Sequence, residues 1–167
     1  MDIPISQQFP IFMKILECNK GYSVHDDSLL TIAIIFQSNN KQSLTTHDDI
    51  IGLTSQFTQQ RISALAIKFV EFDLDRIGDL SASFSAEKVD VAYISPLRAY
   101  KIEDIADICK AKSILSLTGM TSYLNLGLAV SIANRGGKPQ IVINLPAAKA
   151  EKANFGSQIL KLARIME

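Results

Sequence analysis

Several features that would point to a particular class of protein are missing from this chain of 167 residues. It has no tryptophan, and its Lys+Arg and Asp+Glu counts are both 17, so its formal net charge is zero. A protein that binds nucleic acid or an anionic membrane usually carries a basic excess, which this balance does not give. The tyrosines and phenylalanines do not alternate with basic clusters either. We therefore predict that the chain binds no nucleic acid.

Long apolar segments are also missing. The longest apolar run near the N-terminus, Leu29 to Phe36, is far shorter than the ~20 residues that cross a bilayer, and it predicts a buried strand. The first twenty residues show no signal peptide, because polar residues interrupt an amphipathic pattern there. Two interpretations stay open: a cytoplasmic protein, or a mature form whose signal peptide has been removed.

Cysteine is scarce. Cys18 and Cys109 are too few for a disulfide framework and lack the spacing of metal ligands. One interpretation makes them two small buried residues. The other is a single bridge that joins the first helix to a later one, which would fit an oxidising compartment.

The residues that are present predict one α/β domain over residues 1–167. Hydrophobic residues make up 47% of the chain, enough for a full core. Continuous apolar strands followed by helical patterns indicate βαβ units, a mostly parallel central sheet and helices on both faces, a three-layer sandwich. The predicted strands are residues 29–36, 64–70, 89–94, 113–117, 126–133 and 140–145, and the predicted helices are 5–18, 42–59, 75–84, 96–110 and 157–166.

The end of the chain predicts a β-hairpin and a closing helix. The polar segment Asn134 to Pro139, with Gly136 and Gly137 at its centre, separates two apolar runs rich in β-branched residues. Glycine reaches positive φ without steric cost, so this pattern is typical of a tight hairpin turn.

Polar side chains at the predicted strand ends are the candidate ligand-binding groups. Ligands of open α/β sheets bind beyond the carboxyl ends of the strands, near helix N-termini that attract anions. A pocket there, with a single cation, would suit a small anionic or nucleotide-like ligand; the alternative is that these are ordinary turn and capping residues. The candidates are Gln37, Asn39, Ser95, Arg98, Thr118 and Met120.

The motifs of several enzyme and signalling classes are missing. Gln37-Ser38 and Ser95-Pro96 stand where a receiver domain needs its acidic pair and phosphoacceptor aspartate, and no G-x-G-x-x-G or G-x-S-x-G motif occurs. His25 and His47 each precede two aspartates, but adjacent residues point apart, so a solvated position is expected rather than a metal site. We therefore predict no enzyme, no cofactor and no metal.

Four segments resemble the YfiR-like family over roughly the whole chain. LTIAIIFQ and VDVAYISP are similar to two strands of the family, and ILSLTGM is similar to a third, although Thr118-Gly119-Met120 departs from the commoner Gly-Gly-Met. The specific match is the closing segment IVINLPAAKAEKANFGSQILKLARIME.

The resemblance implies a function that the residues alone do not. Members are similar to exported periplasmic regulators, often dimeric and not enzymes, and one restrains a membrane-bound diguanylate cyclase and so lowers cyclic di-GMP signalling. It also makes a Cys18–Cys109 bridge more plausible. An exposed apolar patch would mark such a regulator, and the first helix offers candidates: Phe9, Phe12, Met13 and Leu16.

The alternative hypothesis is a small-ligand-binding protein. The polar groups at the strand ends motivate it, and such a protein would resemble one lobe of the solute-binding proteins that partner ABC transporters.

Overall fold

The computed structural model of the protein describes residues 1–22 and 28–167. Helices and strands alternate through most of the chain. In order they are α1 (Ile5–Glu17), β1 (Leu29–Phe36), α2 (Lys41–Thr54), β2 (Arg61–Ile62), β3 (Leu65–Asp73), α3 (Leu80–Ala86), β4 (Val91–Ile94), α4 (Ile102–Lys112), β5 (Leu115–Thr118), a 3-10 helix (Thr121–Leu126), β6 (Val130–Arg135), β7 (Lys138–Asn144), α5 (Leu145–Ala150), α6 (Ser157–Leu162) and β8 (Arg164–Met166).

The strands form a single eight-stranded sheet in the order β2-β3-β1-β4-β5-β6-β7-β8. The pairs β1–β3, β1–β4, β4–β5, β5–β6 and β7–β8 are parallel, whereas β2–β3 and β6–β7 are antiparallel. This arrangement confirms the predicted α/β class with a mostly parallel sheet.

Apolar side chains cover both faces of the sheet. Along β1, Leu30, Ile32 and Ile34 belong to one apolar cluster, and Ala33 and Ile35 belong to the other, because successive side chains point to opposite faces. Helices α1, α2, α5 and α6 contribute to the first cluster, and α3, α4 and the 3-10 helix contribute to the second. The three layers predicted from the continuous apolar strands are therefore present.

The closing hairpin forms as predicted. Strands β6 and β7 pair up to Arg135 and Lys138, which leaves Gly136 and Gly137 as a two-residue turn. Their φ values are 58° and 85°, the left-handed conformation that both central residues of a type I′ turn require. The Asn134 side chain accepts a hydrogen bond from Gly137 N at 2.8 Å.

Several predicted boundaries are wrong: the helix predicted over 42–59 ends at Thr54, the helix predicted over 75–84 begins at Leu80, and the strand predicted from 126 begins at Val130. Three more have a clear physical reason. The helix predicted from Pro96 begins only at Ile102, because the intervening backbone bonds to Tyr123 and Gln37 instead of forming a helical turn. The helix predicted over residues 157–166 ends at Leu162, and Arg164–Met166 pairs with β7 as a strand. The strand predicted to end at residue 70 continues to Asp73, opposite the end of β1.

A buried carboxyl group joins the start of β5 to the segment after α5. Strands β5 and β6 pair over only two positions, so Ser116 lies where the ladder has not yet begun. Glu151, 2% exposed, accepts a hydrogen bond from Ser116 N at 2.9 Å, and its other oxygen lies 2.7 Å from Ser116 Oγ. Ser116 Oγ in turn accepts from Ala129 N. Burial raises the pKa of Glu151 to about 8, because hydrogen bonds from Ser116 and the nearby Lys110 offset desolvation only in part.

Candidate functional site

A groove of about 770 Å³ lies beyond the carboxyl end of β1, the central strand of the parallel region. From β1 the chain passes to β3 on one side and then crosses to β4 on the other, so the connections diverge at this point. Ligands of doubly wound sheets bind at such switch points. The groove is lined by Gln37, Asn39, Asn40, Lys41, Gln42, Thr45, Asp75, Arg98 and Ala99.

Gln37 holds the loop after β4 against the end of β1. Its Nε2 donates to Arg98 O at 3.0 Å, and its Oε1 accepts from Arg98 N at 2.8 Å. Its own backbone N–H donates to the buried Ser43 Oγ at 2.9 Å. Since both ends of its amide are engaged within the protein, Gln37 positions the Arg98 loop, and the exposed Arg98 side chain is left to face the groove.

Two aspartates fix the opposite rim. Asp73 accepts from Ser38 N at 3.0 Å and from Asp75 N at 3.0 Å, and Asp75 accepts from Asn39 N at 2.8 Å. Desolvation alone would raise the pKa of Asp73, but hydrogen bonds from Ser38 and Asp75 and the charge of Arg76 lower it overall. These contacts order the turn that carries Asn39.

The N-terminus of α2 completes the groove. Asn40 caps this helix, because its side chain accepts from Gln42 N at 3.1 Å and Ser43 N at 3.5 Å. The exposed Lys41 follows and adds a second cation to the lining. Sequence reasoning missed Asn40, Lys41 and Asp75. The capping preference of asparagine before a helix was the available signal for the first two.

The other predicted ligand-binding residues lie elsewhere. Thr118 is fully buried; its Oγ1 donates to Ile94 O at 2.8 Å and accepts from Met120 N at 3.1 Å. Met120 lines a separate, smaller cavity beside Gly119 and Thr121. Ser95 is fully buried, and its Oγ has no hydrogen-bond partner within the described part of the chain. The groove thus unites Gln37, Asn39 and Arg98, and excludes Ser95, Thr118 and Met120 from its lining.

The predicted partner-binding face of α1 is wrong. Phe9, Phe12, Met13 and Leu16 are 2%, 0%, 3% and 1% exposed. They pack on the sheet, and the rings of Phe9 and Phe12 lie 6.2 Å and 5.7 Å from the Tyr93 ring. An apolar helical stripe that fills the core cannot also serve as an exposed patch.

The predicted Cys18–Cys109 bridge is also wrong. Both cysteines are free, Cys18 exposed and Cys109 buried. Cys18 caps the end of α1, which packs on one face of the sheet, whereas Cys109 of α4 belongs to the cluster on the other face. The sheet therefore separates the two sulfur atoms. Burial raises the pKa of the Cys109 thiol well above its ordinary value.

His47 is not freely solvated. Its ring stacks on Phe36 with centroids 3.9 Å apart, its side chain is 11% exposed, and its two nitrogens contact Asp48 and Glu71. His25 lies outside the described residues. Within residues 1–22 and 28–167, no three His, Cys, Asp or Glu side chains are arranged to hold a metal ion, and no helix is both long and apolar enough to span a membrane.

The chain is thus an α/β domain with a mostly parallel sheet and a groove beside the end of β1. The model of the YfiR/HmsC-like family matches residues 34–164, and the chain therefore belongs to this family. The comparison with curated proteins finds no match.

Solved structures with this fold come from several bacteria. A conserved domain protein from Vibrio cholerae superposes with a TM-score of 0.65 at 16% identity and 98% coverage of this chain. A Streptococcus pneumonia protein described as an ABC domain in complex with L-Trp gives 0.62 at 13% identity and 98% coverage. CD0873, a substrate-binding protein with adhesive properties from Clostridium difficile, gives 0.65 at 11% identity and 99% coverage. The chain spans 60% of the length of each. At these identities the likeness is one of fold.

Proposed function

We propose that the chain is an exported, non-enzymatic regulator that binds and restrains a membrane-bound signalling protein such as a diguanylate cyclase. Membership of the YfiR/HmsC-like family, over residues 34–164, is the observation that carries this proposal. Exported regulators of this kind act in the periplasm, and some work as dimers. The polar groups at the strand ends support the proposal that the regulator is not an enzyme, because the side chains of Gln37 and Thr118 form hydrogen bonds within the protein.

Deletion of the gene in its native host tests this proposal. We expect cellular cyclic di-GMP, measured by mass spectrometry, to rise when the regulator is lost. A plasmid copy with an export signal should restore the lower level, and the same copy without the signal should not, since the proposed partner is met in the periplasm. Unchanged cyclic di-GMP, or equal rescue by both copies, would contradict the proposal.

A second candidate function is binding of a small anionic ligand in the groove beside β1. Three observations favour it: the position at the switch point, the N-terminal turn of α2 in the lining, and the side chains of Arg98 and Lys41. The Streptococcus pneumonia neighbour is described with bound L-Trp, and this chain would correspond to part of such a protein. A regulator that senses a ligand would combine both functions.

A thermal-shift screen against amino acids, nucleotides and vitamins tests the second function. A ligand at 100 times its Kd stabilises the native state by about 2.7 kcal/mol, so a binder should raise the melting temperature clearly. Arg98→Ala should abolish the shift, and Arg61→Ala, an exposed arginine outside the groove, should keep it. No shift with any class, or a shift unaffected by Arg98→Ala, would contradict binding at this groove.

A further inference from the structure

A second groove, of about 490 Å³, lies where the β6–β7 hairpin extends past α6. Strand β8 pairs only with Val142, Ile143 and Asn144 of β7. The outer edge of β7 from Lys138 to Ile141 therefore has no neighbouring strand within the described part of the chain. We call this cavity the hairpin groove; it is lined by Arg135, Lys138, Pro139, Gln140, Ile141 and Leu162.

The apolar part of the hairpin groove is open to solvent. Leu162, the last residue of α6, is 71% exposed, far more than Leu126 at 38% and Met1 at 36%, the other exposed large apolar side chains of the described residues. It shares the groove with Pro139 and Ile141. A leucine that lines a cavity beside two further apolar residues offers a place where a partner's apolar side chain would leave water.

The charged part of the hairpin groove is basic. Arg135 and Lys138 line it, and Lys161 and Arg164 flank Leu162 in the chain. Within the described residues none of these four forms an ion pair, and no acidic side chain lines the groove. Since the whole chain has no net charge, this basic excess is local. It complements a negatively charged partner.

The edge of β7 limits how a partner can bind. Lys138 and Pro139 lie on the unpaired stretch, and charged residues and proline are the devices that discourage an incoming strand. Pro139 also lacks the N–H that a ladder needs. A partner is therefore recognised by its side chains rather than by extension of the sheet.

We propose that the hairpin groove docks an acidic segment of a protein partner, with an apolar side chain of that segment beside Leu162 and its carboxylates on Arg135 and Lys138. The inference rests on the proposed function, because it names the surface through which the regulator would bind its partner. The predicted face on α1 cannot serve, since its side chains are buried. A twofold contact between copies would bring the basic groups together, which disfavours this groove as the dimer interface.

Three fluorescent peptides test the proposal by anisotropy against the full chain. They share one pattern of leucines and differ only in their polar positions, which are all Glu, all Lys or all Ser. We expect the Glu peptide to bind, and to bind less tightly as salt is raised, because screening weakens charge pairing. The Lys peptide should not bind. No binding of the Glu peptide, or equal binding of all three, would overturn the proposal.

Matched variants locate the binding surface. Leu162→Ser and the double variant Arg135→Glu/Lys138→Glu should each weaken Glu-peptide binding about tenfold or more. Leu126→Ser and the double variant Arg61→Glu/Lys88→Glu change exposed positions outside the groove and should leave binding unchanged. Equal melting temperatures show that all variants fold. Binding that survives the groove variants would overturn the assignment.

Anionic phospholipid vesicles provide a separate outcome. One combination of results would show that the surface meets a membrane and would overturn the proposal. In it, phosphatidylglycerol vesicles bind the chain, the groove variants abolish that binding, and the Glu peptide does not bind. The proposed function is tested separately, by measuring cyclic di-GMP in the host. If Leu162→Ser restores low cyclic di-GMP as well as the wild type does, the regulator role stands and the docking surface is wrong.

Discussion

Helices α1 and α6 pack on the same face of the sheet, but they use their apolar residues differently. On α1, Phe9, Phe12, Met13 and Leu16 are at most 3% exposed. On α6, Ile159 is buried, but Leu162 is 71% exposed at the edge of the sheet. Helix α1 covers central strands, whereas α6 ends where β7 has lost its neighbour.

This difference shows what an apolar helical pattern can and cannot tell. The pattern on α1 describes the core, and its residues are unavailable to a partner. The exposed residue of α6 is visible only once the sheet's edge is known. The proposed docking surface therefore lies at the edge of the sheet, where Leu162 of α6 is left exposed.

The largest expected effect is the difference in stability lost when an apolar residue is truncated in α1 and in α6. Phe12→Ala should lower the free energy of unfolding by about 3–5 kcal/mol, because it removes a fully buried ring. Leu162→Ala should change it by no more than about 0.5 kcal/mol, because that side chain is mostly in water. Urea unfolding of the two variants measures both values. Similar losses of stability in both variants would contradict the difference between α1 and α6.

A pH effect should come from Glu151, which anchors the segment leading to α6. Its pKa is about 8 in the folded protein against 4.5 as the ordinary value. The native state therefore binds more protons than the unfolded state between these pH values. The free energy of unfolding should fall as pH rises through this window, by up to about 1.4 kcal/mol per pH unit.

Glu151→Gln is the matched control for that effect. Glutamine cannot lose a proton, so residue 151 should no longer make the free energy of unfolding depend on pH between pH 5 and 8. Hydrogen bonds to Ser116 remain possible in this variant. Unfolding curves at several pH values in both proteins give the comparison. Equal slopes in the wild type and the variant would show that Glu151 is not the group responsible.

A smaller effect on stability should distinguish two side chains of the groove beside β1: Gln37, which is hydrogen-bonded within the protein, and Arg98, which is exposed. Gln37→Ala should cost about 1 kcal/mol of stability, because it removes two hydrogen bonds that hold the Arg98 backbone. Arg98→Ala should cost no more than about 0.5 kcal/mol, as expected for an exposed side chain. The reverse order would mean that Arg98, and not Gln37, is the structural residue.

The smallest effect concerns the cysteines, whose labelling should not alter stability. Under native conditions an alkylating reagent should modify Cys18 and spare Cys109, because Cys109 is fully buried and its thiol resists ionisation. Mass spectrometry of the labelled protein reports which cysteine reacted, and mass spectrometry of the unlabelled, non-reduced protein reports whether the two cysteines are bridged. A mass two hydrogens lower than that of the reduced chain, with no label taken up, would show the bridge that the structure excludes.

Much of the fold could be predicted from local patterns. The continuous apolar run of β1 required cover on both faces, and the two glycines after Arg135 required a tight turn. Strand β2, only two residues long, leaves no periodic signal. Strand β8 was hidden because Arg164–Met166 continues a helical pattern, and its pairing with β7 is a tertiary contact that overrides that preference.

The site was harder to predict than the fold. Gln37, Asn39 and Arg98 line one groove, because the parallel topology brings the ends of β1 and β4 together; that they bind a ligand stays a prediction. The reciprocal pair between Gln37 and Arg98 joins residues 61 positions apart, and no local pattern encodes such a bond. For the same reason Thr118 could not be recognised as a buried residue that ends β5 and bonds to Ile94 O.

The regulator role through the hairpin groove is tested most directly by cellular cyclic di-GMP in a host that lacks the gene. Exported wild-type protein and its Leu126→Ser control should restore the lower level, and Leu162→Ser, present at equal abundance, should leave it at the level of the deletion strain. Cyclic di-GMP that does not differ between the deletion strain and the strain that carries the wild-type protein would contradict the account.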